Sequence, residues 1–184
     1  MLKDIFPTKI GVVQNFLTKK EIKDLYNYII KLPHKEHPAI IGNGKSTHLN
    51  YSNSLKEKNL EQKINKEIKK YCNSCGLFLC ELDICWSNIQ KKDSFLKMHS
   101  HCEAPVVGII YIKTDEKSSK LYFQNPNPHS MVTTYNMDYN QNILCCKVNA
   151  GDLFIFPGWL QHGSYYELNK SRERVVLSFN CKNI

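Results

Sequence analysis

Residues 99–112, HSHCEAPVVGIIYI, contain two histidines followed by a run of mostly apolar residues. In an extended segment, side chains at i and i+2 point to the same side, so the imidazoles of His99 and His101 can face one centre. The apolar run, rich in Val and Ile, is typical of a buried strand. The stretch therefore predicts a strand preceded by a two-histidine arm.

A similar strand-forming sequence pattern continues on both sides of this stretch, from Gly76 to the end of the chain. Short runs of β-branched and aromatic residues alternate with turn residues, and no helical crossover lies between them. Several short strands of this kind favour an antiparallel barrel or sandwich over a βαβ fold. We therefore predict that residues 77–184 form the β core.

Two amphipathic helices are predicted before this core. A capping box formed by Thr18 and Glu21 opens the first, over residues 18–32. A second box, Ser54 with Glu57, precedes the other helix. Its apolar residues recur at helical spacing, at Leu60, Ile64, Ile68 and Tyr71.

Length and composition point to one domain over residues 1–184, with 1–76 as helical support for the core. Hydrophobic residues make up 42% of the chain, enough for a sizeable core. The N-terminal residues lack a signal-peptide apolar region, and the chain lacks the roughly eighteen consecutive apolar residues of a membrane span. A cytoplasmic protein of a phage or bacterial host cell is expected, with no membrane partner and with eight reduced cysteines.

The net charge of +8 permits an anionic partner such as nucleic acid. Many of the lysines, however, alternate with glutamates at helical spacing in residues 54–71, as on a solvated helix face. A polar stretch over residues 125–142 is too long for an ordinary hairpin. It is a candidate lid over a substrate, and equally a plain hairpin tip.

A third histidine, His162, follows an apolar strand in GDLFIFPGWLQHG, residues 151–163. Pro157 and Gly158 end that strand, and the turn after them can aim His162 inward. Folding can return it to His99 and His101, where three neutral imidazole nitrogens would bind one divalent ion.

Three ordered strings, HSHCEAPVVGIIYI, GDLFIFPGWLQHG and RERVVLSFN, resemble the core of 2-oxoglutarate- and Fe(II)-dependent oxygenases. The resemblance is to the prolyl-hydroxylase-like branch and to a group of short phage and bacterial oxygenases. It implies a double-stranded β-helix, jelly-roll or cupin-like, that uses Fe(II), 2-oxoglutarate and dioxygen to hydroxylate a substrate. The substrate is left open among a peptidyl residue, with proline slightly favoured, a free amino acid and nucleic acid.

The resemblance assigns His99, His101 and His162 as metal ligands and as the catalytic centre. Family members usually carry H-x-D or H-x-E followed by a distant histidine, so His101 stands where a carboxylate is usual. A neutral ligand there changes the net charge around the metal. In an alternative assignment, His101 is the first ligand and Glu103 supplies the carboxylate.

The resemblance also implies a cosubstrate site in RERVVLSFN. Arg174 matches the basic residue that binds the far carboxylate of 2-oxoglutarate, a role suited to the arginine fork. Ser178, four residues on and so on the same face of a strand, would share that carboxylate. Arg172 becomes the anchor if the strand register slips by two residues.

Three further positions are assigned to the site. Tyr111 falls where related enzymes place a tyrosine that hydrogen-bonds the cosubstrate, although a core aromatic has the same pattern. Asn88 resembles an asparagine on an early family strand, and Trp159 is expected to wall the pocket. Two alternatives remain open: a three-histidine, cupin-like dioxygenase that does not use 2-oxoglutarate, and a catalytically idle binding module.

Overall fold

The computed structural model describes residues 8–48, 58–127 and 142–184. Over these ranges the chain forms two helices and eleven strands. In chain order they are β1 (Gly11–Val13), α1 (Lys19–Ile29), β2 (Ile40–Ile41), β3 (Gly44–Ser46), α2 (Lys58–Cys75), β4 (Cys80–Lys91), β5 (Phe95–Leu96), β6 (Val106–Lys113), β7 (Leu121–Gln124), β8 (Ile143–Cys146), β9 (Leu153–Pro157), β10 (His162–Gly163) and β11 (Glu173–Asn183).

The strands form a large sheet that faces smaller ones. The large sheet has the order β1-β9-β6-β11-β4-β3, the second has the order β10-β7-β8, and β2 pairs with β5. Every pairing among these strands is antiparallel. The predicted mainly β fold with N-terminal helices is confirmed.

The sequence signals for the helices agree with the structure. Thr18 is the N-cap of α1, and its side chain and that of Glu21 complete the predicted capping box. The helix ends at Ile29, where turns begin, so it is shorter than the predicted 18–32. The predicted second box at Ser54 and Glu57 lies outside the described residues.

Each face of the large sheet packs a separate apolar layer. The helices cover one face, where Ile29, Ile64 and Ile68 meet strand residues such as Leu177. The other face lines the barrel interior and is turned toward the β10-β7-β8 sheet. There Phe123 belongs to the same apolar cluster as Tyr111. Alternate residues of β11 divide between the two layers, as the period of two for a strand requires.

A β-bulge interrupts that alternation in β6. Val176 pairs with Tyr111 and Val175 pairs with Lys113, so Ile112 is an extra residue in the ladder. Tyr111 keeps the interior side that alternation gives it, whereas Lys113 lies on the opposite side, toward α1, where its Nζ donates to Glu173 at 2.9 Å.

Two sequence expectations are modified by the structure, and a third lies mostly outside the described residues. The extended segment of the histidine arm is not a continuous strand, since β5 ends at Leu96 and His99 makes only an isolated bridge to His162. His162 lies on β10 rather than in a turn. Most of the candidate lid, residues 128–141, lies outside the described ranges. No helix in the described ranges is long and apolar enough to cross a membrane.

Candidate active site

His99, His101 and His162 meet at one end of the barrel interior. One ring nitrogen from each lies within 4.8 Å of the others. Backbone hydrogen bonds hold two of the three together, because His99 N–H donates to His162 O at 3.0 Å and His162 N–H donates to His99 O at 2.9 Å. The separation of these residues is therefore fixed by main-chain pairing.

Backbone carbonyls orient two of the three rings. The Nδ1 atoms of His99 and His162 lie 2.9 Å from Lys97 O and 2.8 Å from Leu160 O, respectively. Because a carbonyl only accepts, each Nδ1 carries the proton and donates it, which leaves the Nε2 lone pair for a metal.

Burial keeps the three imidazoles neutral. It is the main cause that lowers the pKa of His99 and His101, the latter to about 4, and that holds the pKa of His162 well below its usual range. The neighbouring rings add to the effect in each case. Neutral imidazole is the form that binds a metal.

Two glycines allow the backbone to come close enough to build the cluster. A Cβ atom on Gly158 would overlap the carbonyl oxygens of Ala104 and His101. A Cβ on Gly163, next to His162, would lie 2.6 Å from Lys97 O. Both positions require glycine because the backbone approaches closely on both sides of the strand that carries His162.

Glu103, the alternative third ligand, is exposed. Its Oε1 atom lies 3.9 Å from His101 Nδ1, too far for a hydrogen bond. Among the described residues, the group of three ligand atoms within metal-binding range contains no carboxylate. The geometry therefore favours His101 over Glu103.

The cleft beside the histidines is narrow, with a cavity volume of about 60 Å³. Asn88 and Ser178, both predicted site residues, line it with Trp86. His37 and His48 form another wall: His37 Nδ1 accepts from Ala39 N–H, so its Nε2 donates to His48 Nδ1 at 3.3 Å.

Arg174 lies two rows deeper, on the same face of β11 as Ser178, and is buried. Its Nη1 donates to Gln90 Oε1, and its Nη2 donates to Tyr111 Oη at 3.1 Å. The guanidinium carbon also lies 5.1 Å from the centre of the Tyr111 ring. No carboxylate of the described residues pairs with this buried charge.

Tyr111 belongs to the interior apolar cluster, and its hydroxyl also accepts a hydrogen bond from Arg174. Burial raises its pKa despite the opposing effect of Arg174, so the phenol stays protonated. Arg172 is exposed, which leaves Arg174 as the interior arginine of β11.

Trp159 was wrongly expected to wall the pocket. It is 51% exposed and lines a different cleft, together with Gln161 and Tyr165. The turn after Pro157 directs the Trp159 side chain away from the histidines, while Gly158 occupies the tight position against His101.

Sequence reasoning missed His37, His48 and Gln90. The two histidines lie in a stretch rich in Gly, Ser and Asn that carries no periodic signal. Gln90 follows Asn88 by two residues and so shares its face of β4, which is the one available clue.

Comparison with known proteins identifies a family for this chain. The family model described as "Putative 2OG-Fe(II) oxygenase" matches residues 84–180, slightly more than half of the chain. A search of curated proteins finds no significant match.

Solved structures share the fold at low identity. HygX from Streptomyces hygroscopicus, with nickel, 2-oxoglutarate and hygromycin B bound, is 11% identical, with a TM-score of 0.66 over 96% of this chain and 83% of that one. The viral collagen prolyl hydroxylase of Paramecium Bursaria Chlorella virus-1 is 15% identical, with a TM-score of 0.62 and coverage of 95% and 96%. A Pseudomonas putida prolyl-4-hydroxylase is 14% identical, with a TM-score of 0.66 and coverage of 96% and 94%. The shared fold is the predicted double-stranded β-helix.

Proposed function

This chain belongs to the 2OG-Fe(II) oxygenase family, and from that premise we propose that it hydroxylates a C–H bond of a peptidyl residue. Enzymes of the family are oxidoreductases that use Fe(II), 2-oxoglutarate and dioxygen. Iron bound with 2-oxoglutarate would supply oxygen activation coupled to oxidative decarboxylation, which yields succinate and carbon dioxide. The chain itself must hold the metal, orient the cosubstrate and shape the substrate cleft.

The proposed metal ligands are His99, His101 and His162. The observation that supports them is the convergence of three ring nitrogens within 4.8 Å, with two rings oriented by backbone carbonyls. Three imidazole nitrogens suit Fe(II) chemically and leave coordination positions open for the cosubstrate. The residues present therefore fit the metal that the family uses.

The proposed cosubstrate residues are Arg174, Tyr111, Ser178 and Asn88. The Nε atom of Arg174 is buried with no hydrogen-bond partner among the described residues. The two residues that accept hydrogen bonds from its Nη1 and Nη2 atoms, Gln90 and Tyr111, are neutral. A buried cation of this kind needs an anion, and the far carboxylate of 2-oxoglutarate would meet that need.

Ser178 and Asn88 connect the two parts of the site. Both line the histidine cleft, and both lie on strands that continue to the Arg174 and Gln90 row. A cosubstrate that chelates the metal with its keto-acid end would extend past these side chains toward Arg174.

The test is anaerobic titration of the Fe(II)-loaded protein with 2-oxoglutarate. We expect the weak visible absorption band that keto-acid chelation produces, with the saturating concentration raised at least tenfold in Arg174→Ala. Iron binding should be unchanged in that variant. Exposed Arg172→Ala is the matched control and should titrate like the wild type.

A three-histidine metal dioxygenase that does not use 2-oxoglutarate is the second candidate, favoured by the absence of a carboxylate from the described ligand group. It predicts iron binding without the band and without any effect of Arg174→Ala. A protein that binds no iron would instead be a binding module.

The peptidyl substrate is supported by two structural neighbours that are prolyl hydroxylases. Turnover with proline-containing peptides, followed as succinate release and as a 16 Da mass increase of the peptide, tests this part. Free amino acids and single-stranded nucleic acid are the competing substrates for the same assay.

A further inference from the structure

Gln90 lies across from Arg174 in the paired strands β4 and β11 and is 1% exposed. Its side-chain oxygen accepts a hydrogen bond from Arg174 Nη1. Its backbone oxygen is occupied separately, by Asn169 Nδ2 at 3.1 Å. Among the described residues, the hydrogen bond with Arg174 is therefore the one that the Gln90 side chain makes.

The contact fixes which end of the amide faces the guanidinium. Because arginine only donates, the oxygen of Gln90 must point toward it and the NH₂ group must point elsewhere. That NH₂ group is buried and has no hydrogen-bond partner among the described residues. An unsatisfied buried donor is costly, which calls for an explanation in a native fold.

Two neighbouring groups also have a donor hydrogen without an acceptor among the described residues. Arg174 Nε–H lacks a described partner. The Tyr111 hydroxyl accepts from Arg174 Nη2, and its own proton has no acceptor in the described part of the chain. The Gln90 amide on β4 and the Tyr111 hydroxyl on β6 thus flank the guanidinium of Arg174, and all three groups keep a donor without a described acceptor. This is the complement of a carboxylate.

We propose that Gln90 determines the specificity for the cosubstrate, by orienting Arg174 and by donating an amide N–H to the far carboxylate. The inference rests on the proposed function and adds to it a residue outside the predicted set. It makes the site selective for 2-oxo dicarboxylic acids over 2-oxo monocarboxylic acids of the same chain length. Arg174 provides the charge, and Gln90 provides the fixed second donor.

The experiment compares two ligands, 2-oxoglutarate and 2-oxopentanoate, which lacks the far carboxylate. Their dissociation constants are measured by anaerobic calorimetry on the Fe(II)-loaded wild type, Gln90→Leu and Gln90→Glu. The measured quantity is the ratio of the two constants, since a general loss of fold or of metal binding weakens both ligands together. Gln14→Leu, the same change at an exposed position, is the matched control.

In Gln90→Leu we expect the preference for 2-oxoglutarate over 2-oxopentanoate to fall about tenfold or more, because the variant loses one hydrogen bond to a charged group. Gln90→Glu is nearly isosteric and places a carboxylate on Arg174, so it should abolish the preference. Thermal stabilisation of the metal-free protein by glutarate, which cannot chelate through a keto acid, should decrease in the same order.

Two outcomes would overturn the inference. An unchanged ratio in both Gln90 variants, with wild-type preference intact, would remove Gln90 from the site and leave the proposed function standing. A wild type that shows no preference for 2-oxoglutarate would remove both.

Discussion

His99 and His162 illustrate how far a candidate metal site depends on the backbone around it. Each ring is held by the carbonyl two residues earlier in the chain, and the two backbones are paired directly. Local extended geometry supplies both features, and the H-x-H spacing, the distant histidine and the family resemblance of the surrounding motifs together predicted the cluster. The contribution of Gln90 was not predictable, because a single glutamine in a strand has no distinguishing pattern.

The first prediction concerns His162. We expect His162→Ala to weaken Fe(II) binding by about 100-fold or more, above the 10- to 100-fold cost of losing an outer-shell partner. Ligand removal should leave 2-oxoglutarate with no metal to chelate. Equilibrium dialysis against Fe(II) under anaerobic conditions measures the change, and equal affinity in the variant would refute the ligand assignment.

His34 provides a matched control. It is partly buried and its Nδ1 also contacts a carbonyl two residues earlier, but its Nε2 meets Ser87. His34→Ala should retain wild-type Fe(II) affinity.

At the scale of elements, the helices were predictable and the bulge was not. The capping box of α1 and the apolar spacing of α2 are local signals that the tertiary structure preserves. The bulge at Ile112 depends on how β6 meets β11, which the residues of β6 alone do not determine. The order of the strands likewise depends on long-range pairing.

The second prediction concerns the packing of β6 against β11. Gly108 lies opposite Phe179, and a Cβ atom there would overlap the aromatic ring. Because Phe179 is fully buried, it cannot move aside, so Gly108→Ala should destabilise the protein by about 1–3 kcal/mol. Urea denaturation measures the loss.

A double variant checks the cause. Phe179→Leu makes room for the new methyl group, so Gly108→Ala should cost less in that background. Equal cost in both backgrounds would show that overlap with the ring is not the reason.

The third prediction concerns the contact of α1 with the sheet. Burial tends to raise the pKa of Glu173, but hydrogen bonds from Tyr26 at 2.6 Å and from Lys113 at 2.9 Å lower it overall. A lowered pKa stabilises the fold above the unfolded-state value of about 4.3, and the stabilisation is lost as pH falls through the folded-state pKa.

We expect Glu173→Gln to cost no more than about 1 kcal/mol at pH 7, because Lys113 is partly exposed. The difference from wild type should shrink as the pH falls below about 4. Urea denaturation at several pH values measures this. Exposed Glu116→Gln is the control, and a Glu173→Gln difference that persists at pH 3 would contradict the account.

At the scale of the whole molecule, the fold class and the family were predictable because three motifs occur in the right order within a continuous β-rich region. The placement of Trp159 was not, since the direction of a side chain after a turn depends on the turn geometry. The eight cysteines were expected to be reduced, and none of them forms a disulfide.

The fourth prediction uses those thiols. Cys102 and Cys145 are exposed, whereas burial raises the pKa of Cys146 to about 11 and slows its reaction. Brief iodoacetamide treatment of the native protein should therefore modify two cysteines, and treatment after unfolding should modify all eight. Peptide mass spectrometry identifies the sites. Early modification of Cys72 or Cys181, both buried, would contradict the described packing.

The bulge in β6 has an electrostatic consequence for the entire site. In a strictly alternating strand, Tyr111 and Lys113 would share a face, and the lysine would bring a second positive charge beside Arg174. The extra residue sends the two cations to opposite sides of one sheet. Lys113 is paired with Glu173, while no carboxylate of the described residues pairs with Arg174. One irregular residue thus keeps the ion pair of Lys113 on the opposite side of the sheet from the buried charge of Arg174.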